Sequence, residues 1–325
     1  MAQKLLLTGD RASGDSYVIG AYIGTLKSRI ECQDEYECFI FSADYHTLTT
    51  DMDNTDKVRK NALELIKTQI SIGVDPKKVV FYRQSRIVET FRLHTLLSML
   101  ITMPELERQP TLKEKILQGK KMTYGLVGYP VLMASDILIM GADIVPVAKD
   151  QEAHLEIAKY LAEKFNSTFS NVLNVPEKMI NPVLIGLDGQ GKSGKSTGGI
   201  FFNDSSEDVK KKVKSMYTDP NRIKVTDPGT VEGNPVFIYH DYFNADVDEV
   251  NDLKERYEKG QVGDVEVKEK LYLSIERFLE PIREKKVEVD KLGDDYILDL
   301  LQSGEKRANE VAEQTMKEVD KVMGF

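Results

Sequence analysis

The chain has 325 residues, 41% of them hydrophobic and 30% charged, with 44 Lys and Arg against 53 Asp and Glu for a net charge of -9. That length exceeds what one compact core usually holds, so two domains are expected, and the composition excludes disordered and collagen-like classes. No apolar run reaches the roughly eighteen residues of a membrane span, the acidic balance argues against a surface that grips nucleic acid throughout, and two cysteines without a CxxC pair make neither a disulfide scaffold nor a structural zinc site.

The opening MAQKLLLTGD lacks a signal-peptide cleavage site, which predicts a cytoplasmic protein off the membrane, and the acidic balance leaves DNA out of the expected partners. Lys4 to Leu7 reads as a short apolar strand running into the glycine-bearing turn TGDR at 8–11, with a helix from about Tyr17. Further strands are predicted at Cys38 to Ser42 and Lys78 to Tyr82, on either side of a helix over Val58 to Ile72. Strands alternating with helices predict a parallel sheet. Arg86 to Gly119 is helical throughout, Asp143 to Val147 supplies another strand, and Gln151 to Phe165 is an amphipathic helix with Leu155, Ala158, Leu161, Ala162 and Phe165 on one stripe. Beyond Asn203 helical patterns run to Phe325. The expected fold class is therefore α/β: a nucleotide-type domain over 1–203 with a helical insertion at about 86–125, then an all-helical domain over 204–325. Ligands of open parallel sheets sit beyond the carboxyl ends of the strands, which makes Thr8 to Gly24, Tyr129 to Gln151 and Gly189 to Thr197 the candidate site segments.

One stretch invites a different reading. GQGKSGKST at 189–197 spells the phosphate-cradling pattern GxxxxGKS/T, which needs a strand before the glycines and a helix opening at the lysine. PVLIGLD at 182–188 reads as a strand, but STGGIFF after Lys195 places two glycines where helix should propagate, at about 1 kcal/mol each. The P-loop spelling is thus read as a coincidence.

The segment YPVLMASDILIMGADIVPVAKDQEAHLE at 129–156 resembles the amino-acid pocket of the tryptophanyl-tRNA synthetases, class I enzymes with a Rossmann-type catalytic domain and a helical anticodon-binding domain. SADYHTLTT at 42–50, MYTDP at 216–220, EGNPVF at 232–237 and SGEKRANEVAEQT at 303–315 also resemble segments of that family. The resemblance covers nearly the whole chain. It implies an ATP-dependent ligase that activates L-tryptophan with Mg²⁺ present and passes the acyl group to tRNA(Trp), working as a homodimer.

Under the resemblance, GKSGKS at 191–196 is the counterpart of the mobile KMSKS loop, whose lysines stabilise charge on departing pyrophosphate. Lys192, Lys195 and Ser196 keep their places, while Ser193 and Gly194 replace Met and Ser. Lys113 resembles a third lysine aimed at the same phosphates, so Lys113, Lys192 and Lys195 are the expected catalytic residues; a solvated helix charge is the alternative for Lys113. The family's other signature, TGxxPTGxxHxGHYxGxL, is TGDRASGDSYVIGAYIGTL here, with one extra residue and no histidine. Val18, Ile19, Gly20 and Ala21 fall at the HIGH positions and offer no side-chain donor. Losing two bonds to charged groups, at about 1.5–3 kcal/mol each, costs orders of magnitude in rate. What is left is Gly20 against the adenine, and backbone N–H groups at a helix start. The implied ATP contacts are Arg11, Ala12, Ser13, Gly20, Ala21, Ala148, Lys149, Asp150, Val183 and residues 192–196, with Ala148 and Lys149 standing where the family has Gly and Glu.

For the amino acid, the resemblance makes Asp136 the acceptor of the indole N–H, with Met133, Ile137, Val145 and Val147 lining the ring, Tyr129 and Gln151 nearby, and Leu7, Gly9 and Arg11 approaching from the first strand; His46 is a candidate ligand-site residue, although a lone histidine is more often structural. Periodicity alone reads Met133 and the valines as ordinary core, whereas an acid inside ASDILIM needs a partner. Lys210, Lys211, Lys212, Lys214, Arg222 and Lys224 form the most basic stretch, which suits tRNA phosphates and equally a solvated helix face. A tryptophan-binding paralogue with weakened ATP chemistry is the competing reading of the altered motifs.

Overall fold

The computed structural model of the chain describes residues 3–325 except 118, 120, 195–197 and 221, and except the side chain of Asp150. It divides into two compact units, one made of 1–15, 28–181 and 292–325, the other of 16–27 and 182–291. The division differs from the contiguous one expected at 203/204, because the last helix belongs to the unit that holds the sheet, while 16–27 and 182–203 belong to the other. No helix among the described residues is long and apolar enough to cross a membrane.

The first unit is built on five parallel strands, β1 (Leu5–Asp10), β2 (Glu37–Ser42), β3 (Val79–Arg83), β4 (Ile144–Ala148) and β5 (Glu177–Asn181), in the order β3-β2-β1-β4-β5. The first four are the predicted ones. Both faces are covered, so β1 and β2 read as continuous apolar runs. Leu5, Leu7, Phe39, Phe41, Val145 and Val147 pack into the larger core with helices Val88–Ser98, Tyr124–Ile139 and Glu152–Thr168. Leu6, Cys38, Ile40, Val79 and Phe81 point the opposite way, onto Leu63 and Ile66 of Thr55–Ser71. The order reverses between β1 and β4, and this is where ligands of such sheets bind.

β3 is an edge strand, and the helix Gly293–Met323 covers it. Ile297 and Leu301 join one core while Ala308, Ala312 and Met316 join the other, so the helix passes from one face of the sheet to the opposite face. It crosses at Gly304, where an added β-carbon would lie 1.9 Å from the Phe81 carbonyl oxygen. Arg83 donates to Glu305 from both Nε and Nη2, and Asn309 donates to the Arg86 carbonyl. Covering the edge removes a template for strand addition.

The second unit contains the short turn of helix Ile19–Ala21, a π-helical turn Tyr22–Leu26 and the helices Ser206–Lys214, Pro235–Phe243, Val247–Glu258 and Asp264–Lys291. Residues 182–188 form no regular strand here; a single antiparallel bridge joins Ile185 to Lys192.

Candidate active site

Tyr129, Met133 and Asp136 recur at helical spacing on Tyr124–Ile139, a helix started by Thr123, whose hydroxyl accepts from the Leu126 N–H. Asp136 is 3% exposed. Its Oδ2 accepts from Gln84 Nε2 at 2.6 Å, and Gln84 Oε1 accepts from the His46 N–H at 2.9 Å. Burial pushes the Asp136 carboxyl well above the usual carboxylate range; the Gln84 bond opposes this and Asp44 adds to it. A buried carboxyl held by one donor is an acceptor placed for the N–H of an apolar ligand. Gln84, fully buried in the turn after β3, was not foreseen from sequence. The signal that could have found it is Asp136 itself, which needs a donor.

Leu7, Ile137, Val145 and Val147 are buried in the core on this face of the sheet, and Met133 packs against it half-buried. An added β-carbon on Gly9 would meet the Phe41 ring at 2.4 Å, so glycine there lets that ring close over β1. His46 is buried with its ring centroid 5.1 Å from that of Tyr129. Burial lowers its pKa well below the ordinary value, and the positive Arg11 and Lys115 and the ring of His154 lower it further, so the imidazole is neutral.

Tyr129 is the hub of a polar cluster. Its hydroxyl bonds with Thr111 Oγ1 and lies 3.2 Å from His154 Nε2, which is 2.7 Å from Thr111 Oγ1; His154 Nδ1 is 3.0 Å from Gln151 Oε1. Lys115 Nζ stands 3.9 Å from the Tyr129 ring centroid. Thr111, Lys115 and His154 were not foreseen as site residues. Lys113 is exposed on the same short helix, Pro110–Leu117.

At the carboxyl end of β1 the loop is fixed from below. Arg29, whose side chain is fully buried, donates to both carboxylate oxygens of Asp10, at 2.5 and 2.9 Å, and to Gln69 and Thr8. Next to this network Arg11 donates to Thr50 Oγ1 while its buried Nε has no partner among the described residues, and burial lowers its pKa. Ala12 is fully buried, with its N–H given to Thr47 and its carbonyl accepting from Asn61. Its observed role is to hold the loop, since both backbone groups are engaged. Ser13 is exposed, Ala148 half-buried at the end of β4 and Lys149 exposed in the next turn; Asp150 shares that turn, but its side chain lies outside the described residues.

In the second unit the counterparts of the two signatures meet. Ser193 donates its N–H to Leu184 O at 2.7 Å and Gly186 donates to Gly191 O, so 184–193 forms a tight loop with Gly189 and Gly191 at positive φ. Lys192 is exposed, Gly194 half-buried and Val183 exposed at the base; Lys195 and Ser196 lie outside the described residues. Residues 198–205 are not helical, so the segment lacks the helix a P-loop requires. A β-carbon on Gly20 would meet Ser193 Cβ at 3.0 Å, and one on Gly199 would meet Val18 at 3.0 Å. Ala21 is half-buried beside them. The helix begins at Ile19 rather than Tyr17, and the Ile19 N–H is given to Ile200 O at 2.8 Å. That removes one of the backbone donors the sequence reading assigned to phosphate.

Much of the basic stretch is paired within its own unit. Lys210 pairs with Glu269, Lys211 with Glu207 and Lys212 with Asp204. Arg222 has a side chain 1% exposed, donates to the Val225, Asp227 and Val262 carbonyls and stacks on Tyr257. Lys214 and Lys224 stay exposed.

Residues 3–280 match the family described as tRNA synthetases class I (W and Y). The chain is 43% identical to a tryptophan--tRNA ligase of Borreliella burgdorferi, covering all of this chain and 95% of that one, and 42% identical to one of Treponema pallidum, covering 98% and 96%. Its structure resembles that of the tryptophanyl-tRNA synthetase of Campylobacter jejuni complexed with ADP and tryptophan, with a TM-score of 0.85 and 33% identity over 99% of this chain and all of that one. With a family match over most of its length and relatives this similar from end to end, the chain belongs to the class I tRNA synthetases of the tryptophan and tyrosine group, on the tryptophanyl-tRNA synthetase branch.

Proposed function

We propose that the chain is a tryptophan--tRNA ligase that converts L-tryptophan and ATP to the aminoacyl-adenylate and pyrophosphate, then acylates tRNA(Trp). The observation that carries the specificity is Asp136, buried and held by Gln84, where it suits an indole N–H. The tryptophan carboxylate attacks the α-phosphorus, the bond to the β-phosphate oxygen breaks, and pyrophosphate leaves with the electron pair. A ribose hydroxyl at the tRNA 3′ end then attacks the acyl carbon and releases AMP. Lys113, Lys192 and Lys195 are assigned to the charge that builds on pyrophosphate. Mg²⁺ enters on the nucleotide phosphates as part of the substrate. Arg11, with its unsatisfied buried Nε, suits an anionic ligand group.

The enzyme is assigned to the cytoplasm and to a homodimer. An open groove of about 980 Å³ with Tyr45 and Met52 exposed and Leu48, Phe91 and Leu132 half-buried along it supports a second copy, since apolar side chains at a shared surface mark interaction sites. Sedimentation equilibrium tests this directly: a monomer at micromolar concentration would contradict it.

The competing reading, a tryptophan-binding paralogue with little ATP chemistry, is favoured by Val18 and Ala21 at the histidine positions and by the engagement of the Ile19 N–H with Ile200. Tryptophan-dependent exchange of pyrophosphate into ATP separates the two.

A further inference from the structure

The Pro110–Leu117 helix carries Lys113, yet at eight residues it is too short to be stable alone, so its seat fixes where that lysine goes. Its seat is largely one side chain. Leu112, fully buried, clusters with Leu126 and Tyr129; Lys115 stands over the Tyr129 ring; and Thr111 bonds to the Tyr129 hydroxyl and to His154. Lys113 lies two residues beyond Thr111, about 200° round the helix, on the face turned away from these anchors. The other side of Tyr129 faces His46 in the amino-acid pocket.

His154 closes the arrangement. Gln151 Oε1 can only accept, so His154 Nδ1 carries the proton and donates to it, which leaves Nε2 to accept from the Thr111 hydroxyl at 2.7 Å while the Tyr129 hydroxyl donates to Thr111 Oγ1. The order Gln151–His154–Thr111 therefore runs from a residue assigned to the amino acid to the lysine-bearing helix.

We propose that His154 is a positioning residue that, through Thr111 and Tyr129, couples occupancy of the amino-acid pocket to the presentation of Lys113. A ligand that engages Gln151 or Tyr129 holds the His154 ring in place, and through the Thr111 hydroxyl it fixes the helix that bears the lysine. This rests on the reading that Lys113 acts on the ATP phosphates.

The test is a double-mutant cycle on the full-length enzyme, read by pyrophosphate exchange and by tryptophan binding. Thr111→Val and His154→Ala are each expected to lower kcat about 10–100-fold with the tryptophan Kd held within about threefold, and Thr111→Ser is expected to restore the rate. Added to Lys113→Ala, neither should cost more than about twofold further. If His154→Ala does not fold, as judged by its melting transition, Thr111→Val carries the cycle alone. Equal losses in the wild-type and Lys113→Ala backgrounds, or a weaker tryptophan Kd with kcat unchanged, would overturn the proposal. An active wild type whose rate is indifferent to Lys113→Ala would sink this inference and leave the ligase reading standing; a wild type with no exchange would remove the ligase reading itself.

Discussion

Gly20 and Ser193 lie in direct contact, with the space for a β-carbon on Gly20 ending 3.0 Å from Ser193 Cβ and 3.2 Å from its Oγ. Gly20 is thus the surface on which the 184–193 loop rests. Gly20→Val should displace the loop and lower the rate of pyrophosphate exchange by about tenfold or more, with tryptophan affinity held within about twofold, because the Asp136 pocket belongs to the other unit. Measuring exchange and equilibrium binding on the same preparation checks it; unchanged exchange would mean that this contact has no part in catalysis.

Asp136 should govern recognition of the indole N–H. Asp136→Ala is expected to weaken tryptophan binding by about 10–150-fold, the equivalent of about 1.5–3 kcal/mol for a bond to a charged or strongly polar group. The wild type should reject 1-methyltryptophan, and the variant should treat the two ligands alike. Calorimetric titration of both ligands against both proteins decides the point.

Gly304→Ala places a methyl group 1.9 Å from the Phe81 carbonyl oxygen, and backbone on each side must move to admit it. A destabilisation of about 3 kcal/mol is expected, at the upper end for overpacked sites. Urea denaturation would show it as a lower midpoint at constant slope.

The Glu105 carboxylate gives a pH prediction. Bonds from the Thr102 hydroxyl and N–H, and from the Tyr160 hydroxyl, hold it down at about 2 against an ordinary 4.5. A depressed folded-state pKa contributes stability that is present above the unfolded value and is lost as pH falls through the folded one. Protection of the Thr102 amide from hydrogen exchange should therefore persist at pH 5 and fade as pH drops from about 4.5 towards 2. Glu105→Gln should shift little across that window.

Four of the five strands were legible because a sheet covered on both faces demands continuous apolar runs, as in LLL and CFIF. β5, reading EKMIN, was not, since an edge strand can be polar at most positions. Periodicity identified the last helix but not its destination: an amphipathic pattern says that one face is buried, not against what. Gly304, in the middle of a helical run, was the one local sign of a close approach. Asp136 was legible as an acid that needs a partner, while Gln84, Thr111 and His154 were not, because isolated polar residues carry no spacing signal and their roles appear only once the chain is folded.

The central claim is that the chain activates tryptophan with ATP. Exchange of radiolabelled pyrophosphate into ATP, with tryptophan and Mg²⁺ present, tests it most directly. Exchange that depends on tryptophan and falls by about 100-fold or more when Lys192 and Lys195 are both changed to Ala is the predicted result, as expected for groups that stabilise transition-state charge. Tight tryptophan binding without detectable exchange in the wild type would contradict it and identify the chain as a binding paralogue.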